Sequence, residues 1–410
     1  MKHILFSILI LCLFAGNSYA QIASDEFVKQ YLQSTGIYTT QNNQINLLTS
    51  GHDKFVDLFE AIRKAKHHIH LEYFNFRNDS IANALFDLLA QKHKEGVKIR
   101  AMFDAFGNWS NNKPLKKHHI QTIRQRGIEL VKFDPFAFPY INHAIHRDHR
   151  KIVVIDGKTA YTGGMNIADY YIHGLPKVGA WRDIHMRIEG EAVRQLQAIF
   201  LDMWNHETDQ HIGGPEYFPP LQQWPDSMTQ EIAIVDRTPR KTPHSIARAY
   251  ATSIRAAENN IQIINPYFTP VKIIRKALKT ALKKGTEVEI MIPSVSDIPF
   301  TPDVALHIAH KLMKKGARIY LYNGGFHHSK IMMVDNKFCT VGTANLNSRS
   351  LRYDYETNAF IFDSAITHQL NNLFEADKKN STLMTPEFWK KRSAWKKFVG
   401  WFGNLLTPFL

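Results

Sequence analysis

A chain of 410 residues, 44% of them hydrophobic, exceeds one average domain and can bury a large core. A charged fraction of 21% beside 26 Phe, 15 Tyr and 7 Trp excludes a disordered polymer. With 51 Lys+Arg against 37 Asp+Glu the formal charge is +14, a field that favours anionic partners and serves nucleic acid and an anionic membrane surface equally.

At the N-terminus, Lys2 and His3 precede an apolar run from Ile4 to Phe14 and then Ala15-Gly16-Asn17-Ser18-Tyr19-Ala20. The run is short for a membrane span, and Ser18-Tyr19-Ala20 has the small-x-small form of a cleavage site. Residues 1–20 are therefore expected to be a secretory signal, with an uncleaved anchor as the alternative, and the protein to be exported to a periplasm or an outer leaflet. Leu11 stands before Cys12 where a lipoprotein site wants a small residue. Cys339, in an apolar run, is read as a core residue, so no disulfide framework exists.

The rest of the chain repeats itself. The first copy is Ala61-Ile62-Arg63-Lys64-Ala65, then the strand pattern Ile69-His70-Leu71-Glu72-Tyr73-Phe74, a helical pattern from Ile81 to Ala90, Gly96, and Val97 to Met102. The second is Ser253-Ile254-Arg255-Ala256-Ala257, then Ile261 to Ile264, a helix through Ile274, Leu278 and Leu282, Gly285, and Val288 to Ile292. Helix, strand, helix, Gly, strand predicts a βαβ crossover in a largely parallel sheet, with the Gly as a C-cap. A hairpin follows each copy: Ile152 to Ile155, the turn Asp156-Gly157, and Lys158 to Thr162; then Ile331 to Val334, the turn Asp335-Asn336, and Lys337 to Val341. The Gly- and Pro-punctuated stretch from Gly213 to Pro225 marks a boundary. The expected organisation is a signal (1–20), one domain (21–212), a linker (213–230), a second domain (231–385) and a tail (386–410).

In that tail Trp395, Phe398, Val399, Phe402, Leu405, Leu406 and Phe409 recur at helical spacing, and Lys390, Lys391, Arg392, Lys396 and Lys397 lie at its start. An amphipathic helix of this kind suits an anionic membrane surface; the alternative is packing on the protein's own core. Gly400 and Gly403 weaken the helix.

The chemistry sits just before each hairpin. His149-Arg150-Lys151, Asp156 and Gly163-Gly164-Met165-Asn166 match His328-Ser329-Lys330, Asp335 and Gly342-Thr343-Ala344-Asn345, and both read H-x-K-x4-D-x6-G-x-x-N. Residues two apart on a strand share a face, so His149 projects with Lys151 and His328 with Lys330, and the glycines let Asn166 and Asn345 approach. A phosphodiester repels an anionic nucleophile and accepts a neutral imidazole. A second imidazole can protonate the leaving oxygen, and Lys and Asn donors can hold the nonbridging oxygens. Two copies supply all of these if the halves face each other across a pseudo-twofold axis.

Here the chain resembles the phospholipase D superfamily, whose motif H-x-K-x4-D-x6-G-[GST]-x-N occurs twice. The resemblance implies an α/β fold of two similar domains, each a mostly parallel sheet flanked by helices, packed as a pseudo-dimer with one active site at their interface. It implies a phosphohistidine intermediate, with no metal and no other cofactor. By position His149 is the nucleophile and His328 the general acid, an order that could be reversed. Lys151, Lys330, Asn166 and Asn345 then bind phosphate. The family motif includes Asp156 and Asp335 in its catalytic set, yet both open tight turns, where Asp is favoured by turn chemistry alone. Asp183 in Trp181-Arg182-Asp183 and Glu356 in Tyr355-Glu356-Thr357-Asn358 each lie about 30 residues after its His and are candidate orienting acids. His67, His68, His118, His119, His143, His146 and His327 match no zinc spacing and are read as a solvated basic face.

The stretch from His149 to Tyr170, Trp181-Arg182-Asp183 with Gly190, and Asn345-Leu346-Asn347-Ser348-Arg349-Ser350 are similar to bacterial cardiolipin synthases, which usually show Asp at the position of Asn347 and begin with two transmembrane helices. The resemblance implies a phosphatidyl transfer that makes cardiolipin from two phosphatidylglycerols. The alternatives are a phospholipase releasing phosphatidic acid, a secreted nuclease acting on nucleic acid, and a non-enzymatic lipid-binding protein, which the intact motifs oppose. The expected partners are an anionic phospholipid substrate and a membrane surface, and the expected state is a monomer with an internal pseudo-twofold.

Overall fold

The computed structural model describes residues 23–135 and 145–407. The signal expected over residues 1–20, His143 and Phe409 lie outside them. The strands are β1 (Asn43–Leu48), β2 (His68–Tyr73), β3 (Lys98–Asp104), β4 (Glu129–Phe133), β5 (Lys151–Ile155), β6 (Thr159–Gly163), β7 (Trp181–Arg182) and β8 (His185–Gly190), then β9 (Glu231–Arg237), β10 (Asn260–Ile264), β11 (Glu287–Pro293), β12 (Arg318–Tyr322), β13 (Phe326–His327), β14 (Ile331–Val334), β15 (Phe338–Gly342), β16 (Glu356–Phe362) and β17 (Ser381–Leu383).

The first sheet has the order β1-β8-β6-β5-β2-β3-β4. The second, traced from its matching edge, has β9-β16-β15-β14-β10-β11-β12 with β17 added. The two orders correspond strand for strand, which is the internal repeat in three dimensions. Five of seven strands in the first sheet, and five of eight in the second, run in one direction. Within these two sheets parallel pairing is confined to β2-β3-β4 and β10-β11-β12, where helices such as Ser80–Lys94 and Lys272–Lys284 provide the crossovers. The hairpins add the antiparallel strands.

Alternation along the hairpin strands builds three apolar layers. Val153 and Ile155 face the first half's own helices with Leu58, Ile62 and Leu85. Met332 and Val334 do the same against Ile254, Ile274 and Leu278. The residues between them, Ile152 and Val154 on β5 and Ile331 and Met333 on β14, join one shared core with Met186, Ile188 and Val341. An apolar run that looks continuous is thus two buried faces, one of which welds the halves together.

Two boundaries differ from expectation. The helix Ser24–Ser34, assigned by position to the first domain, buries Val28 and Leu32 in the second half's core, and Lys29 pairs with Glu231 at 3.2 Å. The expected linker begins on the first half: Tyr217 is buried and covers His68 and His70. His68 and His327 are themselves buried, His327 beside Asp377 at 3.1 Å, so the expected solvated histidine face is corrected for both. Each lies on a strand whose two faces are both covered, a context that spacing alone does not reveal.

Candidate active site at the seam between the halves

Lys151 opens β5 and Lys330 immediately precedes β14, so each His-x-Lys lies where its central strand meets the seam. The segments before the histidines cross to the other half. β13 pairs in parallel with β7, and the His328 amide donates to the Arg182 carbonyl at 2.6 Å. In the same way Asp148 bridges to Tyr355, whose carbonyl accepts from the His149 amide at 3.0 Å. Arg150, the middle residue of the first motif, clamps Asp236 of the second half through two bonds of 2.8 and 2.6 Å.

These crossings decide which acid meets which imidazole. His149 Nδ1 lies 2.9 and 3.1 Å from the two carboxylate oxygens of Glu356, and His328 Nδ1 lies 2.7 Å from Asp183 Oδ2. The reading from sequence paired each acid with the His about 30 residues before it. The structure corrects this: each acid orients the His of the opposite half, because β7 and the residues before β16 run across the pseudo-twofold. A carboxylate at Nδ1 favours the tautomer with Nδ1–H donating, which leaves the Nε2 lone pair of His149 for attack. At His328 the Lys330 Nζ also lies 2.8 Å from Nδ1 and 3.1 Å from Nε2.

The site is dry. Phe74 packs on the His149 ring at 5.0 Å, and Trp181, Phe326 and Tyr267 surround His328. Burial pushes His149 down to about 4, against the pull of Glu356 and with help from Lys151. Burial and Lys330 push His328 down to about 3, with Asp183 opposing. Burial also lowers Lys151 to about 7 and Lys330 to about 8. Burial alone would raise Asp183 and Glu356, and the neighbouring Lys and His groups more than offset it, so both acids are lowered. His149 feels Lys330, and His328 feels Lys151, across the seam. The four cations and imidazoles therefore form one electrostatic site, which an anionic diester would relieve by raising all four.

A pH dependence follows. In kcat/KM, which reports free-enzyme ionisations, the acid limb falls near pH 4, well below the ordinary histidine range. Because His328 must take up a proton to act as the acid, kcat/KM declines above that limb, and more steeply above about pH 7 to 8 as Lys151 and then Lys330 lose their protons. A pH profile on a soluble diester checks this, and an acid limb at about 6.5, the value of imidazole in water, would contradict it.

Asn166 and Asn345 are buried, each with a side-chain oxygen that has no protein partner. Lys54 positions Asn166: fully buried, its Nζ donates to the carbonyls of Met165 and Asn166 at 3.0 and 2.9 Å. Sequence reasoning missed Lys54, although it sits four residues before Leu58 and eight before Ile62 on the apolar helix face. It also missed Thr343, whose hydroxyl donates to Glu356. The matching Gly164 has no side chain because a Cβ there would collide with Asp183.

Asp156 and Asp335 stand apart. Each follows five residues after the motif Lys along an extended strand, roughly 16 Å away at about 3.3 Å per residue. Asp156 accepts from the amides of Lys66, His67 and His68 at 2.8 to 3.0 Å, and Asp335 from Glu258, Asn259 and Asn260 at 2.7 to 3.0 Å. Their φ values of 53° fit the left-handed first position of the hairpin turn. Their inclusion in the catalytic set is corrected: each ties a hairpin to the start of the neighbouring strand. Asp156→Ala is expected to cost about 2 kcal/mol of stability by loss of charge-assisted bonds, seen as a lower unfolding midpoint with turnover per folded molecule kept.

Among the described residues no group of three or more His, Cys, Asp or Glu side chains is arranged to hold a metal ion. Comparison with known proteins matches residues 58–204 and 250–378 to a family described as "Cardiolipin synthase, PLD-like domain". The chain is 36% identical over 397 residues to cardiolipin synthase of Listeria welshimeri, covering 94% of this chain and 81% of that protein. It is 36% identical over 391 residues to cardiolipin synthase of Oceanobacillus iheyensis, covering 95% and 80%. Among solved structures, phosphatidylserine synthase of Haemophilus influenzae Rd KW20 superposes with a TM-score of 0.68 at 15% identity, over 90% of this chain and 95% of that one, a likeness of fold alone.

These relatives overturn the expectation of export to a periplasm or outer leaflet. The proteins that match nearly the whole chain are named as synthases of a membrane phospholipid in Gram-positive bacteria. A basic start followed by a short apolar run is a composition that leaders share with other lipid-facing segments, because both partition from water into lipid. It does not specify a compartment.

Proposed function

The chain belongs to the cardiolipin synthase, PLD-like domain family, the phosphatidyl-transferring branch of the phospholipase D superfamily, and from that premise we propose that it makes cardiolipin from two phosphatidylglycerols through a phosphohistidine. The observation that carries the reading is the pair of buried imidazoles, each oriented through Nδ1 by a carboxylate from the opposite half.

His149 Nε2 attacks the phosphorus of one phosphatidylglycerol. A P–N bond forms, the P–O bond to glycerol breaks, and the departing oxygen takes a proton from His328. The hydroxyl of a second phosphatidylglycerol then returns a proton to His328 and attacks phosphorus; the P–N bond breaks and cardiolipin leaves. Lys151, Lys330, Asn166 and Asn345 hold the nonbridging oxygens as charge builds. His328 is neutral in the empty site, so the proton it donates is taken up with the anionic substrate, whose charge favours imidazolium.

The test is product analysis by mass spectrometry with purified protein and phosphatidylglycerol vesicles. Cardiolipin and glycerol in equal amounts are expected. Phosphatidic acid alone would make the enzyme a hydrolase, and absence of lipid turnover would remove the reading.

A further inference from the structure

The tail helix Ala394–Leu405 has two unlike faces. Its glycine face rests on the helix Thr301–Met313: a Cβ at Gly400 would collide with the Asp303 carbonyl and one at Gly403 with Val304. Arg392 pairs with Asp303, and Arg275 donates to Asn404 at 3.1 Å. The glycines that weaken the helix are therefore what lets it dock. The other face carries Trp395, Phe398, Trp401, Phe402 and Leu405, each between 49 and 70% exposed, with rings in contact at 5.7 Å (Trp395–Phe398) and 5.9 Å (Phe398–Trp401). A soluble surface rarely leaves so large an apolar patch without a partner.

A second observation lies beside it. Phe300 is 70% exposed and precedes the supporting helix with a φ of 69°, a left-handed conformation that a bulky side chain seldom adopts. Because Gly403 rests on Val304, the end of the tail bearing Phe402 and Leu405 lies at the end of the helix that Phe300 begins. Both ends lead to the active site. Asp297 accepts from the Tyr267 hydroxyl at 2.7 Å, and that ring packs on His328 at 6.1 Å. The Thr407 carbonyl accepts from Ser348, three residues after Asn345. Charge favours one occupant: from Pro386 to Thr407 five Lys and Arg residues stand against Glu387 alone.

We propose that Phe300 and the aromatic face of the tail helix form one surface that inserts into the interface of an anionic phospholipid bilayer and seats the mouth of the active site on it, an inference that rests on the phospholipid reaction proposed above. Aromatic rings suit the boundary between headgroups and acyl chains, and the lysines beside them are attracted to anionic lipid. Among the described residues no helix is long and apolar enough to cross a membrane, so this contact would lie in the plane of the interface.

The test uses the full chain with vesicles of phosphatidylglycerol and phosphatidylcholine, and separately a short-chain phosphatidylglycerol below its micelle concentration. Phe300→Ser, and the double variant Trp401→Ser with Phe402→Ser, are expected to lose at least tenfold in vesicle cosedimentation and in turnover on vesicles, with turnover of the soluble lipid unchanged. Lys390→Gln combined with Lys391→Gln, Lys396→Gln and Lys397→Gln leaves the apolar face intact and is expected to weaken binding to anionic vesicles only. Vesicle binding equal to wild type in the aromatic variants overturns the proposal, as does a wild-type protein that ignores anionic vesicles or binds nucleic acid in preference. If the wild type binds vesicles but turns over no lipid of either kind, the reaction fails and the surface stands.

Discussion

His149→Ala lowers phosphatidyl transfer by at least about 10⁴-fold, since it loses the nucleophile, and His328→Ala by about 10²–10⁴-fold, since it loses a positioned acid. The two differ in what remains. With a phosphatidyl substrate whose leaving group needs no proton, His328→Ala still forms the covalent enzyme and stalls there, whereas His149→Ala forms none. Rapid-quench detection of labelled protein separates the cases, and labelling of His149→Ala but not of His328→Ala would reverse the two roles.

Glu356→Gln and Asp183→Asn test the crossed pairing. Removing the carboxylate from an oriented imidazole frees the wrong tautomer at little cost in geometry, and about 10⁴-fold is the loss known for such a change in a serine protease triad. Glu356 serves His149 at 2.9 Å, so Glu356→Gln should slow formation of the covalent enzyme. Asp183 serves His328 at 2.7 Å, so Asp183→Asn should slow proton transfer to the leaving group and from the acceptor alcohol, and a pre-activated leaving group should restore its first step alone. The opposite assignment of the two defects would mean that each acid acts on the His of its own half. The acids are also buried, so both variants need an unfolding midpoint beside the kinetics.

What the sequence made visible is what local geometry encodes. Two residues apart on a strand share a face, so His149 with Lys151 and His328 with Lys330 could be placed without coordinates. The hairpins followed from Asp156-Gly157 and Asp335-Asn336, where both turn positions have positive φ. Helix, strand and glycine order fixed the crossovers and hence the matching sheets. What stayed hidden depends on contacts between distant segments. Glu356 lies 207 residues from His149, and Asp183 lies 145 from His328, and nothing near either acid names its partner. The docking of Ser24–Ser34 on the second half is of the same kind: its buried Val28 and Leu32 mark a core face and not the core that receives it. Lys54 is intermediate. Its place on an apolar helix face was readable, and its task, holding the backbone of Asn166, was not.

The most direct test of the central claim, a phosphohistidine formed in a site that both halves build, is mass mapping of the enzyme quenched during turnover of a phosphatidyl substrate with an activated leaving group, using His328→Ala to hold the intermediate. The prediction is one phosphatidyl group per chain on the peptide containing His149, lost when Glu356→Gln is added. A variant that turns over substrate with no histidine adduct at any quench time would contradict the claim and point to direct attack by the acceptor alcohol.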